Sequence, residues 1–191
     1  MVVIFGGSFN PPTLAHYEVA KHVLGLSFVE HLLFVPVGDH YEKVGLISAF
    51  HRINMLEILV HQLPKAEISK IEVEAERTLK SVETLGRLQM AYPDSELAFL
   101  MGADNLYKLV QWYDYERLVQ AFKIMILNRG ELDVHVFIKE NFKFAIDHFI
   151  IVDGFQGIDI SASMYRADTT RTEILLPGVE QYIGQNSLYR R

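Results

Sequence analysis

The chain has no cysteine among its 191 residues, which excludes disulfide staples, thiolate metal centres and thiol catalysis. Basic residues are in deficit: 18 Lys and Arg stand against 24 Asp and Glu, a formal charge of −6. Gripping a phosphate backbone needs a basic face, so a nucleic-acid polymer is not an expected partner. No apolar run approaches the roughly 18 residues that span a bilayer, so no membrane partner is expected either. Residues 1–9 have no basic start and reach Gly6 after a short apolar run, unlike a secretory leader. The expectation is a cytoplasmic protein.

What is present has the balance of a globular domain. Half the residues are apolar and 22% are charged, enough apolar surface to fold without staples. With no repeat, low-complexity tract or linker, residues 1–191 read as one domain. Short β-rich runs at 2–5, 32–37, 97–101, 123–127 and 149–152 look like buried strands. Segments 14–24, 49–63, 81–92 and 134–142 have helix length and composition, and a shorter helix over 177–186 closes the chain. The alternation predicts an α/β fold, a Rossmann-like parallel sheet with helices on both faces and a small C-terminal helical segment. Ligands of such sheets sit beyond the carboxyl ends of the strands. Three segments there carry unusual chemistry: 6–16, 102–105 and 159–166.

The first is Gly6-Gly7-Ser8-Phe9-Asn10-Pro11-Pro12-Thr13-Leu14-Ala15-His16. Two glycines let a backbone approach a ligand closely. The prolines stiffen the loop, and Thr13 is a natural N-cap for a helix with His16 in its first turn. Free amides and the helix dipole favour anions there. Neither the P-loop nor the G-x-G-x-x-G fingerprint is present. On these residues alone a tight βα turn with a surface histidine accounts for the segment equally well. The third segment, Ile160-Ser161-Ala162-Ser163-Met164-Tyr165-Arg166, places a capping serine, a hydroxyl and a guanidinium around one helix start.

Gly7 to His16 resembles the first signature of the [HT]-x-G-H nucleotidyltransferase superfamily, G-[ST]-F-[DN]-P-x-[HT]-x-G-H, with Ala15 at the glycine position. Ile160, Ser161, Ser163 and Arg166 match its second signature, I-S-[ST]-[ST]-x-[IV]-R. The resemblance narrows to bacterial nicotinate-nucleotide adenylyltransferases and spans nearly the whole chain. Pro36 and Lys43 match the spacing of that family's P-N-x-x-P-P-H-K loop, whose Asn, double Pro and His are missing. Arg52, Met55 and Leu56 look like its R-x-x-M-L helix, and Ser81 and Thr84-Leu85 like T-x-x-T-L. Met101-Gly102-Ala103-Asp104-Asn105-Leu106 resembles G-x-D-[SN]-L, and Trp112-Tyr113 the segment flanking the pyridine ring. The ending from Leu176-Pro177 to Leu188-Tyr189 is similar too and reads as packing.

The resemblance implies transfer of AMP from ATP to nicotinate mononucleotide, giving deamido-NAD and pyrophosphate. It implies His16 and Arg166 as catalytic residues. Gly7, Ser8, Phe9, Thr13, Gly102, Asp104, Ile160, Ser161 and Ser163 would bind ATP, and Lys43, Ser81, Trp112 and Tyr113 the acceptor. Mg²⁺ would ride on the ATP, with no metal ligands from the protein. A homo-oligomer is compatible with the sequence, which does not give the state. Two alternatives remain at this level: another acceptor, such as nicotinamide mononucleotide or 4′-phosphopantetheine, and a non-catalytic nucleotide-binding protein. His22, His31, His61, His135 and His148 have no ligand-like spacing and read as structural or solvated. Arg129 divides evenly between a turn residue and a nucleotide contact.

Overall fold

The structure, a computed structural model, describes residues 1–128 and 133–189; Arg129 lies outside them. Six strands form one sheet: β1 (Val2–Gly7), β2 (His31–Pro36), β3 (Ala66–Ile68), β4 (Leu97–Gly102), β5 (Lys123–Leu127) and β6 (Phe149–Val152). The order is β3-β2-β1-β4-β5-β6, and each neighbouring pair is parallel. The α-helices are α1 (Leu14–Leu24), α2 (Ala49–Val60), α3 (Ser81–Ala91), α4 (Ala103–Leu106), α5 (Tyr115–Ala121), α6 (Val134–Asn141), α7 (Ala162–Ala167) and α8 (Pro177–Gln185).

The central strands are apolar nearly throughout because both faces are covered. Side chains alternate between two layers. Val3, Leu32, Phe34, Leu100, Met125 and Leu127 pack with α1, α2, α7 and α8. Ile4, Leu33, Val35, Phe99, Ile124 and Ile126 face the opposite way and pack with α3, α5 and α6. In register, Ile4 stands between Leu33 and Phe99.

The expected parallel sheet and flanking helices are present. The 123–127 and 149–152 strands keep both expected ends, and the helix from 14 ends at 24 as read. Beyond the expectations are the three-residue edge strand β3, the one-turn α4 and the helix α5. β1 runs two residues further than expected and carries its glycines to the rim. The chain order reverses direction between β1 and β4, which opens a crevice at their carboxyl ends. The loop after β1 and the turn after β4 both empty into it.

Candidate active site

At the end of β1 the chain turns through Phe9, which holds a positive φ of 44°. Its ring is buried and packs edge-on against Phe5, Phe34 and His16. The Thr13 backbone N–H donates to His16 Nδ1 at 2.9 Å, and Thr13 Oγ1 lies 2.8 Å from the same nitrogen. A nitrogen that accepts an amide hydrogen bond carries no proton, so the neutral ring places its N–H on Nε2. Burial first and the Lys43 charge second lower the His16 pKa to about 4. The half-buried imidazole is therefore a neutral donor.

Ser161 caps α7, its Oγ accepting from Met164 N–H at 3.3 Å. Arg166 donates from Nη1 to Asn10 O at 2.6 Å and from Nη2 to Ser163 Oγ at 3.0 Å. Lys43 Nζ donates to Ser8 Oγ at 2.8 Å. Its pKa is lowered by burial, then by Arg166 and Arg52. His16, Lys43, Asp104, Ser161, Ser163 and Arg166 line one cavity of about 250 Å³, with Gly102 and Ile160 at its wall. A Cβ on Gly102 would stand 2.6 Å from Asp104 Oδ1, so glycine is what lets that carboxylate fold back over the strand end. An imidazole N–H, an ammonium, a guanidinium and two hydroxyls converge here, a donor set suited to phosphates.

A second cavity of about 440 Å³ adjoins the first at Asn105, which lines both. Gly6, Gly7, Glu72, Ser81, Phe99, Trp112 and Tyr113 border it. Trp112 meets Phe99 edge-to-face at 5.8 Å, while Tyr113 is largely exposed. α3 starts at this cavity. Glu83 reaches back to the Lys80 N–H at 2.8 Å and is clamped by Arg77 at 2.6 and 3.0 Å. The N–H groups of Ser81 and Val82 donate to nothing among the described residues. Glu72 accepts from Thr84 Oγ1 at 2.6 Å, and burial raises its pKa.

Two buried residues frame the cavities. Arg52 is wholly buried and donates to Ile47 O, Ser8 O, Val37 O and Asp39 Oδ1, at 2.9, 3.2, 2.7 and 3.1 Å. It thereby fastens the loop after β1 to the loop after β2. Asn10, also fully buried, donates from Nδ2 to Gly45 O at 2.8 Å.

Of the residues singled out from sequence, eight line the first cavity: His16, Lys43, Gly102, Asp104, Ile160, Ser161, Ser163 and Arg166. Gly7, Ser81, Trp112 and Tyr113 border the second. Lys43, expected among the acceptor contacts, stands on the His16 side. Phe9 and Thr13 are buried and line neither cavity; they meet the site through His16, Phe9 by its ring and Thr13 by its N–H and Oγ1. Sequence reasoning gave no site role to Asn10, Arg52 or Asn105. Asn10 and Asn105 do fall inside matched motifs, and Arg52 stands out as a charged residue on an otherwise apolar helix face. No cluster of three His, Asp or Glu residues able to hold a metal occurs among the described residues. No described helix is long and apolar enough to cross a membrane.

The profile of the cytidylyltransferase-like family matches residues 4–168. A probable nicotinate-nucleotide adenylyltransferase of Acholeplasma laidlawii is 36% identical, the match covering 99% of this chain and 97% of that protein. The nicotinate-nucleotide adenylyltransferase of Bacillus subtilis is 26% identical over 97% and 96% of the two chains. In fold, the chain is similar to Plasmodium falciparum nicotinic acid mononucleotide adenylyltransferase complexed with NaAD. The TM-score is 0.82 at 21% identity, over 98% of this chain and 96% of that one. The sequence likeness thus runs along the full length of the chain. The chain belongs to the cytidylyltransferase-like family and, within it, to the nicotinate-nucleotide adenylyltransferases.

Proposed function

We propose that this chain transfers the adenylyl group of ATP to the 5′-phosphate of nicotinate mononucleotide, forming deamido-NAD and releasing pyrophosphate. The observation that carries the reading is the pair of cavities joined at Asn105, one lined by phosphate-binding donors and the other by Trp112 and Phe99. An acceptor-phosphate oxygen attacks the α-phosphorus in line, and the bond from that phosphorus to the pyrophosphate oxygen breaks. A phosphate dianion needs no deprotonation, so the protein's contribution is positioning and charge stabilisation. His16, neutral with its proton on Nε2, donates to a non-bridging α-phosphate oxygen whose charge grows in the transition state. Arg166 with Ser161 and Ser163 receives the departing β- and γ-phosphates, and Lys43 shares that charge. Asp104, at the cavity wall, accepts from the ribose hydroxyls.

Magnesium fits as a companion of the triphosphate, whose oxygens and bound water are the hard ligands it prefers, and it would neutralise charge on the leaving group. Among the described residues, Asp104 is the one carboxylate lining the phosphate cavity. Trp112 offers its face to the pyridine. The unpartnered amides at the start of α3, with Lys80 beside them, favour an anionic ring substituent, nicotinate over nicotinamide.

The test is pyrophosphate release from Mg²⁺-ATP with a panel of acceptors. Release is expected with nicotinate mononucleotide and far less with nicotinamide mononucleotide or 4′-phosphopantetheine. A different preferred acceptor would overturn the assignment, and silence with every acceptor would leave a nucleotide-binding protein.

A further inference from the structure

Tyr189 lies 179 residues beyond Asn10, yet its hydroxyl donates to Asn10 Oδ1 at 2.7 Å. Asn10 lies in the loop that leads into α1, and its side-chain amide and main-chain oxygen are all engaged. Its Nδ2 holds Gly45 O, its Oδ1 also takes the Ile47 N–H at 3.4 Å, and its main-chain oxygen accepts Arg166 Nη1 at 2.6 Å. The Tyr189 ring meets Tyr165 edge-on at 5.7 Å, and Tyr165 is the buried neighbour of Arg166 on α7. One side chain therefore touches both the helix that carries the guanidinium and the loop whose carbonyl orients it.

The local backbone carries strain for this placement. Tyr189 has a positive φ of 59°, a region that residues with a Cβ seldom occupy. Such conformations persist where the surroundings over-determine them. Here the constraints are the ring contact with Tyr165 and the hydroxyl bond to Asn10. Burial raises the pKa of the phenol, so the hydroxyl keeps its proton and donates.

We propose that the Tyr189 hydroxyl is a positioning group for adenylyl transfer, setting through Asn10 the place of the Arg166 guanidinium and of the 43–47 loop. The proposal rests on the nucleotidyltransferase reading above. Tyr189 does not line either cavity; it acts through Asn10. The asparagine alone has rotational freedom about its side chain, and three ligands on one amide remove it.

Tyr189→Phe removes one oxygen and keeps the ring on Tyr165. It should lower kcat/KM for ATP roughly tenfold, the scale of one buried neutral hydrogen bond, and weaken calorimetric Mg²⁺-ATP binding by a similar factor. The KM for the acceptor should not move, a split that a general loosening of the fold would not produce. Added to Arg166→Ala, Tyr189→Phe should cost less than about a further twofold, since groups acting through one another are not additive. Unchanged ATP parameters, or a full tenfold loss persisting on Arg166→Ala, would overturn the proposal. Should the parent protein release no pyrophosphate with any acceptor, the reaction assignment falls instead. The Mg²⁺-ATP affinities of the parent and Tyr189→Phe then decide the positioning role.

Discussion

At position 16 a single imidazole is held by its own helix start and stripped of most of its water. Substituting His16 by Ala should lower kcat about 10²–10³-fold, the scale of one lost donor at a developing oxyanion. KM for ATP should change far less, and steady-state kinetics against ATP separates the two. The same burial has a thermodynamic signature. The unfolded chain protonates this histidine near 6.5 and the folded chain only near 4, so between those values the unfolded state binds more protons. Stability is then complete above about pH 6.5 and falls as pH drops toward 4, by at most about 3 kcal/mol and less after solvent screening. Urea midpoints across this window should show a shallower slope in His16→Gln, and an unchanged slope would contradict the burial. Trp112→Ala removes the flat wall of the second cavity. It should raise the acceptor KM about tenfold, the upper range of one aromatic pair, while that for ATP stays put; equal shifts in both would reject the seat.

Helices and loops owe their places to a few buried polar residues. Arg52, on α2, holds three carbonyls and one carboxylate from two separate loops. Arg52→Ala should cost about 3 kcal/mol in urea unfolding, because a fully buried side chain is lost and four partly buried acceptors lose their donor together. Arg52→Lys should recover little of it, one ammonium being unable to span the four acceptors. This scaffold explains what was legible beforehand. β5 and β6 are compact apolar blocks with sharp ends, and α1 begins at a capping threonine, so short-range pattern sufficed for them. The three-residue β3, Ala66–Ile68, has too little length for any period. α5 starts after Asp114 in a left-handed conformation that nothing in its polar neighbours announces. Both phosphate-side signatures are contiguous stretches and could be read directly. The Asn10 amide, by contrast, is satisfied by Gly45, Ile47 and Tyr189, partners that only the folded chain brings within reach.

Across the whole molecule the two cavities belong to opposite layers of the sheet. The His16 and Arg166 cavity rests on the layer of α1 and α7, and the Trp112 cavity on the layer of α3. Hydrogen exchange should divide the same way. ATP should slow amides at 160–166, nicotinate mononucleotide those at 78–84, and deamido-NAD both. At a hundred times its dissociation constant the dinucleotide should also add about 2.7 kcal/mol of stability. Protection of both regions by either mononucleotide alone would refute the division. Under the proposed assignment, adenylate chemistry sits on one side of a six-stranded partition and acceptor choice on the other, so each can drift without disturbing its neighbour. Retargeting the chain to a new phosphate ester becomes a remodelling of the α3 flank, leaving the machinery that cleaves the nucleotide as it stands.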